Sequence, residues 1–196
     1  MALRLGTLNH VELVYPPGGR SLAKRAFELL GCNVTDDGGI WFKADGHVFA
    51  SEVTPEQWTF EQALQQRRRD DPKFGAESRF ADALDRGPQH FFHFGFGKQT
   101  VAEWRATVDR IRDAGLNDPE LRGRIGIASI FRPGDPGAYG NHFVQAFVRT
   151  DLFAAGLLSL GQSVEIQHYF EYDPDAVRAP YLDDVRPSPS PVLQAA

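Results

Sequence analysis

The feature that most constrains the fold is a unit that occurs twice in the sequence. Each copy is an apolar run that carries a histidine, followed by a helical pattern that ends in glycine. The first copy runs from His10 to Gly31, a separation of 31 − 10 = 21 positions, and the second from His93 to Gly115, a separation of 115 − 93 = 22 positions. Three strand candidates follow each helix. The repeat therefore predicts strand, helix and three strands in each half of the chain.

The domain organisation expected from this repeat is a first βαβββ module at residues 5–53 and a second at residues 89–172. Between them, residues 54–88 begin with Thr54-Pro55-Glu56-Gln57, which combines a capping residue, a proline at the first helical position and a capping-box glutamine. This stretch predicts a helical connector. Residues 173–196 are rich in proline, serine and alanine, which is typical of an extended or disordered tail. The fold class expected from these elements is α+β.

The ends of the two helices can also be predicted. Ser21 is placed to cap the first helix, and Gly31 is placed to end it. Thr100 and Glu103 form a capping box at the start of the second helix, which the same reasoning ends at Gly115.

Composition excludes several classes of function. The chain of 196 residues has a net charge of −5 and a pI near 5.7, which argues against nucleic acid as a partner. The sequence contains neither a leader-like apolar segment nor a run of about 20 apolar residues, so we expect a cytoplasmic protein that does not enter membranes. A lone cysteine, Cys32, means that a metal site would need histidine and carboxylate ligands. A small molecule is the expected partner, and a homodimer is compatible with the sequence.

Strand alternation sorts the polar residues of the two halves. His10 and Glu12 share one face of the first strand, and His93 occupies the matching face in the second half, so both histidines point away from their helices. If the two sheets curve toward one another, the histidines line a common concavity. The last strand of each half adds a carboxylate, Glu52 and Glu165, and a glutamate in an apolar strand is costly to bury unless it is paired, protonated or bound to metal. Two histidines and two glutamates suit a divalent metal.

These motifs resemble those of the vicinal oxygen chelate superfamily, which includes glyoxalase I, methylmalonyl-CoA epimerase, extradiol dioxygenases and the bleomycin and fosfomycin resistance proteins. The resemblance is carried by Leu8-Asn9-His10-Val11-Glu12-Leu13, Leu29-Leu30-Gly31, His93-Phe94-Gly95-Phe96, Asp113-Ala114-Gly115 and Val164-Glu165-Ile166. It covers about residues 5–172, with the connector outside the usual pattern. It implies two paired βαβββ modules that form a curved sheet cup around a metal. The ligand positions of the family fall on His10, Glu52, His93 and Glu165.

The function expected from this resemblance is a metal-dependent lyase or isomerase of the glyoxalase or epimerase type. A bound Zn, Ni or Co ion would hold two adjacent oxygens of a small substrate and stabilise an enolate, with Glu165 or else Glu52 as the general base. Without Glu52, the remaining His10, His93 and Glu165 form a triad suited to Fe or Mn and to extradiol-type dioxygenase chemistry. A non-catalytic protein that binds a small molecule, such as a drug, is the third reading.

Several residues keep two interpretations. Glu12 and Gln167 share faces with the proposed ligands, so each either contacts substrate or lies on an exposed rim. Arg149, with Gln145 on the same face, either holds an anionic substrate or forms a surface ion pair. His10 and His93 could instead be hydrogen-bonded core residues. The alternative metal ligands are His90, His142 and His168.

Overall fold

The computed structural model describes residues 10–71, 73, 83, 86–138 and 140–170. The first half contains β1 (Val11–Tyr15), α1 (Arg20–Leu29), β2 (Val34–Thr35), β3 (Trp41–Ala44) and β4 (Val48–Glu52). Helix α2 (Pro55–Asp70) follows. The second half contains β5 (His93–Gly97), α3 (Val101–Asn117), β6 (Ile125–Phe131), β7 (Phe143–Thr150) and β8 (Gln162–Tyr169). The prediction of an α+β protein with strand, helix and three strands in each half is confirmed.

Parts of the predicted organisation lie outside the described residues. These are the start of the first module at residues 5–9, most of the connector beyond residue 71, and the tail at residues 173–196. Within the part of the chain that is described, none of the helices is long and apolar enough to cross a membrane.

The strands form two four-stranded mixed sheets with the same connectivity. The strand order is β1-β4-β3-β2 in one sheet and β5-β8-β7-β6 in the other. The pairs β1–β4 and β5–β8 are parallel, and the remaining pairs are antiparallel. The first and last strands of each unit are therefore neighbours, which brings the histidine-bearing strand beside the glutamate-bearing strand in both halves.

One hydrophobic core joins the two halves. Alternation along β1 buries Leu13 and Tyr15 while Glu12 stays exposed, and α1 and α3 contribute Phe27 and Trp104 to the same cluster. The indole of Trp104 donates a hydrogen bond of 2.9 Å to the carbonyl of Ile166 in β8. Burial of the indole therefore leaves its N–H satisfied and attaches α3 to the sheet beneath it.

The two helix ends that look alike in sequence differ in structure. Gly31 follows α1 with a φ of +82°, a left-handed conformation that favours glycine, as predicted. Gly115 instead lies inside α3, which continues to Asn117, so the prediction that it ends the helix is wrong. A Cβ on Gly115 would collide with the carbonyl oxygen of Ile125, which shows that this glycine allows close packing of α3 on β6. The predicted cap at Ser21 is also wrong, because α1 begins at Arg20.

Helix α2 is attached to the second module by a buried carboxylate. Thr54 caps the helix as predicted, since its hydroxyl accepts the backbone N–H of Gln57 at 3.2 Å. Glu61, which is 0% exposed, accepts the backbone N–H groups of Leu158 and Ser159 at 2.7 and 2.9 Å. The Gln57 amide donates to the carbonyl of Gly156 at 3.1 Å. The connector thus fixes the loop between β7 and β8.

We expect Gly115→Ala to lower the free energy of unfolding by about 1–3 kcal/mol. Alanine gains about 1 kcal/mol of helix propensity over glycine, but the added methyl group meets backbone atoms of β6 that cannot rotate away. Urea denaturation followed by circular dichroism measures the change. Gly97→Ala is the control, because a Cβ there meets nothing within 4 Å. Equal stability of the Gly115→Ala variant and the wild type would contradict the packing described for α3.

We also expect Glu61→Gln to destabilise the protein by about 1–3 kcal/mol, because a glutamine amide presents an N–H to one of two backbone donors and leaves it unsatisfied. Glu56→Gln, an exposed change in the same helix, serves as the control. Thermal unfolding compares the two variants. A smaller loss for Glu61→Gln than for Glu56→Gln would show that the carboxylate does not hold the loop.

Candidate functional site

The second sheet carries a polar face that is largely buried. Alternation along β8 places Ser163, Glu165 and Gln167 on one face, and their partners in β7 are Arg149, Phe147 and Gln145. Ser163, Glu165, Gln145 and Arg149 are all buried. Because buried polar groups need partners, this face is a hydrogen-bonded network rather than an apolar core.

His93 and Glu165 meet on this face. Their closest atoms, Nε2 of His93 and Oε2 of Glu165, are 3.5 Å apart, and the two side chains are 23% and 9% exposed. Nδ1 of His93 lies 2.8 Å from the backbone carbonyl of Phe91. A carbonyl can only accept, so Nδ1 donates its proton to it, and Nε2 is the ring nitrogen that faces the carboxylate.

The neighbours of Glu165 leave one of its oxygens for His93. Gln145 donates from its amide nitrogen to Oε1 at 2.6 Å, which leaves Oε2 directed at the imidazole. Gly95 is the cross-strand partner of Glu165, and a Cβ on Gly95 would lie only 3.3 Å from Oε2. Phe147 packs edge-on against the His93 ring with centroids 5.3 Å apart. Together these contacts fix the geometry of the pair.

His10 and His93 line the same cleft. Its volume is about 520 Å³, and its other walls come from Val11, the turn residues Asp45 and His47, Val48 and the strand segment 94–96. Since β1 and β5 are edge strands of their sheets, the cleft lies where the two modules meet. His10 packs edge-on against Phe49 with centroids 5.7 Å apart. Alternation along the two strands predicts that the histidines share a concavity if the sheets curve toward one another, and this cleft brings the two side chains to one place.

Glu52 lies elsewhere. Its partner in β1 is Tyr15, which is buried in the core. Glu52 therefore lies on the helix-facing side of its strand, whereas His10 lies on the opposite side of the sheet. Its Oε2 accepts the backbone N–H of Gly18 at 2.8 Å, which ties the strand end to the loop before α1. When the modules are aligned on their histidines, Phe49 occupies the place that Glu165 has in the second half, because Phe49 faces Glu12 as Glu165 faces Gly95.

The four residues that the resemblance assigns to a metal therefore do not assemble. His93 and Glu165 are adjacent, His10 lies across the shared cleft, and Glu52 points to the other side of its sheet. Among the described residues, which include all four, no group of three or more histidine, cysteine, aspartate or glutamate side chains is placed to hold a metal ion. The arrangement does not fit the metal centre implied by the resemblance, and the chemistry below is derived from the side chains alone.

The proposed substrate-binding residues divide between the sheets. Glu12 is exposed on the first sheet and accepts the indole N–H of Trp41 at 2.5 Å. Gln167 lies on the Glu165 face of β8, and its partner in β5 is Gly97. Arg149 is 1% exposed, so the interpretation as a surface ion pair is wrong, and its guanidinium lies beside Ser163.

The alternative histidines lie away from the pair. His90 is exposed in a short helical turn before β5. Nδ1 of His142 lies 3.3 Å from the carbonyl of Phe170, and Nδ1 of His168 lies 2.9 Å from that of Lys98. Neither ring has a carboxylate of Glu52 or Glu165 among the partners described for it.

The single cysteine is not a reactive thiol. Burial, together with the nearby negative charge of Asp45, raises the pKa of Cys32 to about 12. The thiol is therefore protonated at neutral pH and lacks the thiolate needed for nucleophilic attack or metal binding.

Sequence reasoning did not identify Gly95 and Ser163 as parts of the site. A glycine inside a strand often marks a close approach of another group, and this signal was available at Gly95. Ser163 had no comparable signal, because its role depends on Arg149 in the neighbouring strand.

Comparison with known proteins supplies no relative from which an activity could be transferred. No protein-family model, curated protein or solved structure matches the chain. The resemblance to the vicinal oxygen chelate superfamily thus stays a prediction from the motifs, and the function has to be argued from the side chains of the site.

Proposed function

We propose that the protein is an enzyme that transfers a proton next to a carbonyl group of a small oxygenated molecule, with His93 and Glu165 as its acid–base pair. We further propose that the two βαβββ units form a curved cup around this pair, as the resemblance implies. The observation that carries the proposal is the 3.5 Å approach of His93 Nε2 to Glu165 Oε2 while His93 Nδ1 is held by the Phe91 carbonyl.

Two hydrogen-bond acceptors that face one another are stable only if a proton or a cation lies between them. A neutral His93 ring and an ionised Glu165 would present such a pair of lone pairs. Binding of one proton resolves the conflict and gives an imidazolium beside a carboxylate. The pair then contains one donor and one acceptor within reach of the same bound molecule, which is the requirement for general acid–base catalysis.

The proposed reaction uses both groups of the pair. Oε2 of Glu165 removes a proton from the carbon next to the carbonyl, and the electrons of the C–H bond form an enolate. The Nε2–H of His93 donates a hydrogen bond to the enolate oxygen, where the negative charge develops. After the proton on Glu165 has exchanged with solvent, its return to the same carbon restores the substrate with solvent hydrogen, and its return to the neighbouring carbon isomerises the substrate.

Isotope exchange tests the proposal without knowledge of the natural substrate. The protein is incubated in D2O with hydroxyacetone, dihydroxyacetone, lactaldehyde or pyruvate, and proton NMR follows loss of the C–H signal next to the carbonyl. We expect exchange above the buffer rate with at least one compound, and a loss of roughly 10²-fold or more in Glu165→Gln. Lack of exchange with all four compounds, or undiminished exchange in the variant, would contradict the assignment.

Glu52→Gln is the matched control, since it changes a carboxylate in the last strand of the other module. We expect the exchange rate of this variant to equal that of the wild type, and the wild-type rate to be unchanged after treatment with EDTA. A loss of exchange in Glu52→Gln together with a requirement for Zn, Ni, Co, Fe or Mn would contradict the proposed acid–base pair and support the metal-dependent reaction.

Gly95→Ala examines the position of the carboxylate. The new methyl group would crowd Glu165 Oε2 at 3.3 Å and displace it by a few tenths of an ångström. We expect the exchange rate to fall roughly tenfold because misplaced catalytic groups lose rate steeply, with little change in the unfolding curve. Gly97→Ala, which adds the same methyl group to open space on the same strand, should keep the wild-type rate. Equal rates in both variants would show that Glu165 is not the base.

A second candidate is a binding protein without turnover. The observation that favours it is Phe49, an aromatic side chain that stands in the first module where Glu165 stands in the second, with the His10 ring packed against it. Aromatic walls hold small ligands without any chemistry. Saturable binding of the four test compounds with no isotope exchange would support this candidate and reject the enzyme.

A further inference from the structure

A row of three side chains crosses the second sheet beside the acid–base pair. His93 in β5 is paired with Ser163 in β8, and Ser163 is paired with Arg149 in β7. The three residues share one face of the sheet. Because neighbouring strands are about 4.8 Å apart, the Cα atoms of Arg149 and His93 are separated by about 10 Å. A molecule of a few heavy atoms can span that distance once the length of the arginine side chain is included.

Arg149 and Ser163 line a second, smaller cleft. It has a volume of about 250 Å³ and is lined by Phe91 and Phe92 on one side and by residues 154–157 and 160–162 on the other. Nη1 of Arg149 donates to the Ser163 hydroxyl at 3.1 Å, and Nη2 donates to the carbonyl of Leu160 at 2.7 Å. These bonds hold the guanidinium in a defined orientation at the wall of the cleft.

Phe91 lines this cleft, and its carbonyl also contacts His93. The side of the cleft formed by this residue belongs to the same peptide segment whose carbonyl fixes the tautomer of His93. The opposite wall is held by Glu61 and by the backbone hydrogen bonds between Val14 and Ala154, at 2.8 and 2.9 Å. Both walls are therefore positioned by the fold before a ligand arrives, which lowers the entropic cost of binding.

A guanidinium beside a hydroxyl in a largely apolar cleft is a recognition element for a carboxylate. The planar fork of arginine matches the two oxygens of a carboxylate, and charge-assisted hydrogen bonds are stronger than neutral ones. The volume of the cleft is below the 300–1,000 Å³ that is usual for drug-sized ligands, so the ligand is small.

We propose that Arg149 and Ser163 bind the carboxylate of a small 2-oxo acid and thereby place the carbon next to its keto group at His93 and Glu165. This inference rests on the proposed function, because it names the substrate class of that site. It assigns to Arg149 and Ser163 the role of substrate-binding residues, while the proton transfer stays with the acid–base pair.

The test compares pyruvate with methyl pyruvate, which has the same keto group and no charge. Each compound is titrated into the 15N-labelled full chain, and the amide signals of Leu160, Gly161 and Ser163 are followed by NMR. We expect saturable shifts at these amides with pyruvate and at least about tenfold weaker binding of methyl pyruvate. Equal binding of the two compounds, or no shift at these amides with pyruvate, would overturn the proposal.

Variants test whether the carboxylate of pyruvate binds at Arg149 and Ser163. Arg149→Gln and Ser163→Ala should each weaken pyruvate binding, the first by at least about tenfold, whereas Arg132→Gln, a change outside the cleft in a surface ion pair with Asp135, should leave it unchanged. If Arg149→Gln does not fold, the proposal is tested by Ser163→Ala and by the comparison of pyruvate with methyl pyruvate. Undiminished pyruvate binding in Ser163→Ala and in a folded Arg149→Gln would overturn the proposal.

Glu165→Gln separates this proposal from the proposed function. The variant should bind pyruvate as the wild type does and should not exchange its protons. Charge-dependent pyruvate binding by a wild type that exchanges no protons would support the carboxylate site and reject the enzyme. Exchange with neutral ketones, without charge-dependent binding of pyruvate, would support the enzyme and reject the carboxylate site.

Discussion

The parallel pairing of β5 with β8 is the constraint on which the candidate site depends. It places Glu165 opposite Gly95 and two residues along the strand from the partner of His93, so that the carboxylate lies over a position without a side chain and reaches the imidazole. A shift of the register by one residue would turn Glu165 toward α3 and Val164 onto the face of the sheet that carries His93. The register is held on both sides of β8, by β5 and by the eight-residue pairing with β7, and the Trp104 indole adds a bond to the backbone of β8 from the core side.

Two buried glutamates show how partners separate a structural carboxylate from a reactive one. Both oxygens of Glu61 accept backbone N–H groups of the loop before β8, so its hydrogen-bonding capacity serves the fold. Glu165 has one oxygen bound by Gln145 and the other directed at Nε2 of His93. Burial alone does not distinguish them, since both are nearly inaccessible. The difference lies in the partner of the second oxygen, which is a backbone N–H in one case and an ionisable ring nitrogen in the other.

The elements of the fold could be predicted from sequence because their signals are local. Alternation of apolar residues located the strands to within a few positions, and the Thr54 and Thr100 hydroxyls accept the backbone N–H groups expected of helix caps. The predictions that failed depended on contacts with residues that are distant in sequence. Gly31 and Gly115 have the same sequence context, and only the contact of α3 with Ile125 gives Gly115 a different role. The face of Glu52 depends on its pairing with Tyr15. Glu61 gave no sign of burial, because the groups that it binds lie 97 and 98 residues away.

The two modules share connectivity and differ in what covers the face that carries their histidines. In the second module, the loop before β8 and helix α2 lie beside this face, and Arg149, Ser163 and Glu165 are buried there. In the first module, Glu12, Trp41 and Lys43 are exposed on the corresponding face, and Phe49 stands where the carboxylate would be. Charged groups acquire unusual reactivity only where water is largely excluded and their partners are fixed. The second module meets both conditions and the first meets neither. Among the described residues, two units of the same connectivity thus carry one candidate site, to which the first module contributes a wall of the shared cleft through His10.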